Sequence, residues 1–281
     1  MTTEILPAGQ PAEPSPGPSV AEAPPRKKRR GWLVALIVVG ILVLLGLIAF
    51  LVADGIAKDY ARDYVRARVI EVLQLPEETD VDVDLGGGSI ILQALAGRIQ
   101  SVDVTVPELS FGDLTGAAEL HAEGVPLDEL EPVDVLRVDF SVDEGDLASI
   151  AGSLSGLELE SIELDDPDIV VASAFSVFGL PLPVGMSLTP SAAEGQLVFT
   201  PLSVTVAEST FTAEQLLNDP LFGFLARDLL KQQSVCVAGS LPQALVLTDA
   251  AVEGDALVLS ITGDGAALGG PELATLGVCA G

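Results

Sequence analysis

Histidine and tryptophan each occur once in these 281 residues, tyrosine and cysteine twice each, and 13 basic residues stand against 41 acidic ones. Each shortage removes a class of function. A Ser-His-Asp triad could be built only on His121, which sits in the alternating run Glu119-Leu120-His121-Ala122-Glu123 and reads as a solvent-side strand histidine. The chain has no G-x-S-x-G elbow, no H-E-x-x-H, no G-x-x-x-x-G-K-[ST] phosphate loop and no G-x-G-x-x-G opening a helix. No catalytic residue, resident metal or cofactor is therefore assigned. Asp80, Asp82 and Asp84 open like a calcium loop, but the sixth and twelfth positions, which need Gly and Glu, hold Leu85 and Ile91. The three aspartates read as one solvated strand face, with a loose surface calcium contact left open. Asp165, Asp166 and Asp168 around Pro167 carry the same two readings.

Five of the basic residues form one cluster at 26–30, and three of the acidic ones precede it, so residues 53–281 hold eight basic against 38 acidic side chains. A formal charge of minus 30 repels phosphate backbones and excludes nucleic acid as a partner. It also argues against broad adhesion to anionic headgroups, so lipid contact has to come from apolar surface or a local site. With few aromatics and much Ala, Val, Leu and Gly, the core is expected to be small and aliphatic.

The long charge-free run is at 32–52, 21 residues directly after the basic cluster and Gly31. At about 1.5 Å per residue it spans roughly 30 Å, the thickness of a hydrocarbon core. The positive-inside bias puts residues 1–31, a proline-rich and compositionally disordered tail, in the cytoplasm. Residues 32–52 are then a transmembrane signal anchor and residues 53–281 an extracytoplasmic domain. Cleavage after the small residues Gly55-Ile56-Ala57 is the competing reading, against which the length of the run argues. Both cysteines, Cys236 and Cys279, fall on the outer side, where an even pair reads as a disulfide. A catalytic thiol would have only the sequence-distant His121 as its imidazole partner.

Residues 54–74 read as a helix, with Tyr60 and Tyr64, and Val65 and Val69, one turn apart, ended by Leu75-Pro76. From Asp80 the period changes to two. Val81, Val83 and Leu85, then Val102, Val104 and Val106, then Val138, Phe140 and Val142 alternate with polar residues. Further strands are expected at 117–125, 157–164, 168–178, 182–188, 196–206, 244–252 and 257–262, with Pro107, Gly195 and Gly254-Asp255 as punctuation. Short helices are expected after Asp143, Thr212 and Asp219-Pro220, and at 90–97 ending on Gly97. The class is α+β, a long curved antiparallel sheet with the 54–74 helix packed on it. Residues 174–184 are apolar yet too proline-broken for a central strand; core packing and the lining of an acyl-chain groove are the two readings.

The run Ile91-Leu92-Gln93-Ala94-Leu95-Ala96-Gly97-Arg98 before the strand at 102–106 carries a resemblance, as does Val177-Phe178-Gly179-Leu180-Pro181-Leu182-Pro183-Val184 leading to Gly195-Gln196-Leu197-Val198-Phe199-Thr200-Pro201. Leu241-Pro242, with a cysteine on either side, extends it. Over roughly residues 54–281 the chain resembles the lipomannan elongation factor A-like (LmeA-like) phospholipid-binding proteins of actinobacterial envelopes. The resemblance implies a sheet wrapped on a helix, similar to tubular lipid-binding domains. It also implies a groove for phospholipid acyl chains and a role in envelope lipid or lipoglycan metabolism.

The groove candidates, constrained by periodicity, are Leu92, Leu95, Val104, Val106, Phe140, Val142, Phe175, Val177, Phe178, Leu180 and Leu182. The expected partners are phospholipid or lipoglycan acyl chains and the membrane crossed by the single anchor; no protein partner is identified. The alternative is an envelope adaptor that binds a protein or a glycan through its sheet.

Overall fold

A computed structural model describes residues 30–73, 75–111, 114–148, 159–177, 180–206, 209–219, 223, 226–227 and 230–279. The tail expected at 1–25 lies outside the described residues, as does most of the helix expected after Asp219-Pro220. The chain divides into two compact units, Met1–Phe50 and Leu51–Gly281. What is described of the first is helical and belongs to helix α1 (Arg30–Leu73), whose apolar part is long enough to cross a membrane and is not buried.

The second unit is α+β, with the remainder of α1 and two six-stranded antiparallel sheets. Its first sheet starts from β1 (Asp82–Leu85), β2 (Arg98–Phe111), β3 (Leu114–Pro126) and β4 (Val135–Asp143). The chain then leaves to build the second sheet from β5 (Leu159–Asp165), β6 (Asp168–Val177), β7 (Leu180–Ala193), β8 (Gln196–Val206), β9 (Ser209–Thr212) and β10 (Gln233–Cys236). It returns as the hairpin β11 (Val246–Glu253) and β12 (Ala256–Thr262), and β12 pairs with β4, giving the order β1-β2-β3-β4-β12-β11. The second sheet is ordered β10-β8-β7-β6-β5, with β9 on β8.

Period-two alternation puts one side of the first sheet in the core. Val81, Val83 and Leu85 are buried while Asp80, Asp82 and Asp84 are exposed. Register then stacks apolar residues in rows across strands, Val104 beside Leu120, Leu120 beside Val138 and Val138 beside Ile261. The next row is Val106, Ala118, Phe140 and Leu259. Such cross-strand pairs are the unit of sheet stabilisation. The stripe of α1 that packs on this core is Ala57, Ala61, Val65 and Val69, four residues apart. Tyr60 and Tyr64 lie on an exposed stripe of the same helix. Ile169 of β6 belongs to the same core, which therefore runs into the second sheet.

Three prolines read as breaks lie inside strands. Pro107 falls in β2 at a register irregularity between Val106 and Leu109, where the ladder already skips a bond. Pro181 and Pro183 fall in β7, which is flanked by β6 and β8, so the 174–184 stretch does form a strand hairpin there. Among the described residues, the pairing of β7 with β8 begins at Val184. Being two apart, Pro181 and Pro183 present their nitrogens to the same edge of β7. Gly116 of β3 answers a packing demand, because a Cβ there would come 2.3 Å from the Ser141 carbonyl oxygen of β4.

Helix α2 (Ile90–Ala96) is capped by the Ser89 hydroxyl, which accepts from the Leu92 N–H, and ends at Gly97 with φ 79°. The Thr212 and Gln215 capping box opens the helix Ala213–Asn218.

Candidate functional site

The two rows of apolar side chains form the floor of a cavity of about 430 Å³. Val104, Val106 and Leu109 come from β2, Ala118 and Leu120 from β3, Val138 and Phe140 from β4, and Leu259 and Ile261 from β12. The last turns of α1 supply Val69, Leu73 and the stem of Arg68 on one side. Val237, Leu241, Pro242 and Leu245 close the other side. Its wall is apolar throughout, and Arg68 is the one charged residue that lines it among the described residues. The Arg68 guanidinium donates from Nη1 to Glu71 Oε2 at 2.9 Å, outside the apolar wall.

The closing segment would not hold its place by apolar packing alone, because residues 237–245 form no strand. It is pinned by its neighbours in the chain's last residues. Cys236 is disulfide-bonded to Cys279, with Cα atoms 5.9 Å apart. The Gln243 N–H donates to the Thr275 carbonyl at 2.7 Å and the Gly277 N–H to the Leu241 carbonyl at 2.9 Å. Pro242 and Leu276 form an isolated bridge. The 238 end is held to the β7–β8 turn by Ala238 N–H donating to the Gly195 carbonyl at 3.0 Å.

Of the expected groove residues, Val104, Val106 and Phe140 line this cavity. Val142 is fully buried elsewhere in the core, two residues along β4 from Phe140. Leu92 and Leu95 are exposed on α2, away from the cavity wall. The backbones of Phe175 and Val177 pair in β6 with those of Leu182 and Leu180 in β7. Their side chains, and Phe178 altogether, lie outside the described residues. The wall residues that periodicity did not single out include Ala118, Leu120, Leu259 and Ile261. The signal for them was the register that sets them beside Val106, Val104, Phe140 and Val138. Leu241 and Pro242 were visible as a cysteine-flanked pair, without a sign that they close anything.

The polar groups of this unit are arranged as supports. Gln93, buried on α2, donates from Nε2 to the Gly86 carbonyl at 2.9 Å and accepts from the Gln100 N–H at 2.6 Å, tying α2 to β2. Asp84 accepts from Arg62 at 2.9 Å and lies 3.5 Å from Lys58 Nζ; the hydrogen bond first, then the Lys58 charge, hold its carboxyl below its ordinary range. These ion pairs occupy one of the three aspartates compared with a calcium loop. His121 has Asp103 Oδ1 2.5 Å from Nδ1 and Glu123 Oε1 3.2 Å from Nε2. Hydrogen bonds to Asp103 and then Glu123 raise its pKa, because the protonated ring can donate to both carboxylates. It lies off the cavity wall.

The class these features define is an α+β domain with an apolar-walled cavity between its first sheet, α1 and the closing segment. The chain belongs to the LmeA-like phospholipid-binding family, whose sequence profile matches residues 52–262. Lipid binding is the property that goes with that membership. No curated protein and no solved structure matches the chain significantly.

Proposed function

We propose that this protein is a membrane-anchored, extracytoplasmic phospholipid-binding protein that shields an acyl chain in the α1–β-sheet cavity and performs no chemistry of its own. In this reading residues 1–31 are the cytoplasmic tail, 32–52 the anchor and 53–281 the lipid-binding domain. Its work lies in envelope lipid or lipoglycan metabolism or transfer. The observation that carries it is the all-apolar wall of a cavity of about 430 Å³ in a chain of a phospholipid-binding family. That volume lies within the range of about 300–1,000 Å³ usual for ligand cavities and is on the order of one acyl chain rather than two. Burial of methylenes in such a space is favourable at about 0.8 kcal/mol each, without any polar recognition.

Mass spectrometry of organic extracts from purified residues 53–281 tests the ligand; absence of phospholipid, together with no uptake from added vesicles, overturns the proposal. Protease added outside sealed cells tests the topology. Residues beyond 53 should be digested and the tail spared, and the reverse pattern would invert the orientation. N-terminal sequencing of the mature protein separates an uncleaved anchor from a shuttle released after Ala57.

A further inference from the structure

A second apolar surface lies outside the cavity, beside the start of the packed part of α1. Leu92 and Leu95 of α2, three residues apart and so on one edge of the helix, are 57% and 80% exposed, while Ile90 and Gln93 on the other edge are buried. Helix α2 is fastened to α1 at a defined point. Asp54 Oδ1 accepts from the Ser89 hydroxyl at 2.6 Å and from the Ile91 N–H at 3.0 Å. Asp54 stands two residues beyond Val52, where the charge-free run ends, a helical rise of about 3 Å. The exposed Leu127 donates its N–H to the carbonyl of Gly97, the C-cap of α2, and carries the surface past the end of that helix.

We propose that this edge, with Leu92 and Leu95 at its centre, rests in the interface of the bilayer that the apolar segment crosses. The inference rests on the membrane-anchored reading above. A surface tethered two residues from a span meets that bilayer at a high effective concentration at all times, whereas any other partner has to be recruited. Leucine is a side chain that enters the boundary between headgroups and acyl chains. The domain's excess of 30 negative charges supplies no attraction to anionic lipid, so the contact is apolar and suits zwitterionic headgroups.

The test uses the full chain in phosphatidylcholine vesicles that contain chain-brominated lipid. Trp32, the sole tryptophan, is replaced by phenylalanine, and a single reporter is introduced as Leu95→Trp or, as a control on β8, Leu202→Trp, both at exposed positions. The expected result is that brominated lipid lowers the Leu95→Trp emission by about twofold or more and leaves Leu202→Trp unchanged, as a reporter within the interface requires. If the chain floats with the vesicles and neither reporter is quenched, the anchor stands and this inference is overturned. Equal quenching of both also overturns it, because contact is then not confined to this edge. Failure to float would overturn the anchored reading itself, and this inference with it. Unchanged far-ultraviolet circular dichroism of each variant excludes misfolding as the cause.

Discussion

Replacing Ala118 with phenylalanine puts a ring into the middle of the cavity floor, between Val106 on β2 and Phe140 on β4. The ring adds roughly six carbons, and if it displaces as many acyl carbons the lost transfer energy is about 5 kcal/mol at about 0.8 kcal/mol per methylene. A chain can slide or bend to recover part of that, so the expected loss is about 2–3 kcal/mol, roughly 30- to 150-fold in affinity. The ring enters open space, so the cost to the fold should stay below the 1–3 kcal/mol, roughly, of an overpacked core. The assay is lipid occupancy by mass spectrometry of extracts from residues 53–281, paired with a titration of a fluorescent acyl-chain probe and a thermal melt. Unchanged occupancy and affinity with an unchanged Tm would refute the placing of the acyl chain in this cavity. A large drop in Tm would show that the space is already collapsed in solution.

Three further outcomes follow from the covalent and polar supports of the domain. Cys236→Ser with Cys279→Ser opens a loop of 43 residues, which the chain-entropy treatment values at about 4 kcal/mol, and unpins the closing segment. Urea unfolding should show that loss and lipid retention should fall with it; a stability within about 1 kcal/mol of the parent would contradict the account. Gln93→Leu leaves the Gly86 carbonyl and the Gln100 N–H without their side-chain partner and should cost about 2 kcal/mol or more in the same assay. For His121, the native pKa lies above its ordinary value of about 6.5, so its charge contributes fully below that pH and is lost as pH rises through the native pKa. His121→Gln should therefore flatten the fall in stability from about pH 6.5 upward; because the side chain is 39% exposed, the difference should be small and screened by salt.

Alternation made the first sheet readable before any coordinates. The buried residues of β1 and β4 are the alternating ones, and the bounds of β8 coincide with those read from the sequence. Glycine and capping chemistry likewise marked the ends of α2 and the Thr212 helix. What periodicity carries is the face of a strand, not the depth along it. Phe140 and Val142 share a face of β4, yet one lines the cavity and the other is sealed in the core. Helical spacing was similarly silent about which stripe of α1 packs. The aromatic pair Tyr60 and Tyr64 is outside, and the plain stripe of Ala57, Ala61, Val65 and Val69 is inside. The proline of β2 misled because its tolerance depends on a register irregularity, and those of β7 because the strand pairs with β6 through them, neither of which a local pattern encodes. The division into two sheets depends on β4 meeting β12, a pairing of Phe140 with Leu259 that no local pattern encodes.

That pairing also sets an order of events. β12 is the last strand among the described residues, yet it sits inside its sheet and supplies Leu259 and Ile261 to the cavity floor, while the residues that pin the closing segment come later still. A chain stopped short of its final residues therefore has the helix and most of the strands but no enclosure. If a lipid occupies the cavity as proposed, its retention reports whether those late contacts have formed.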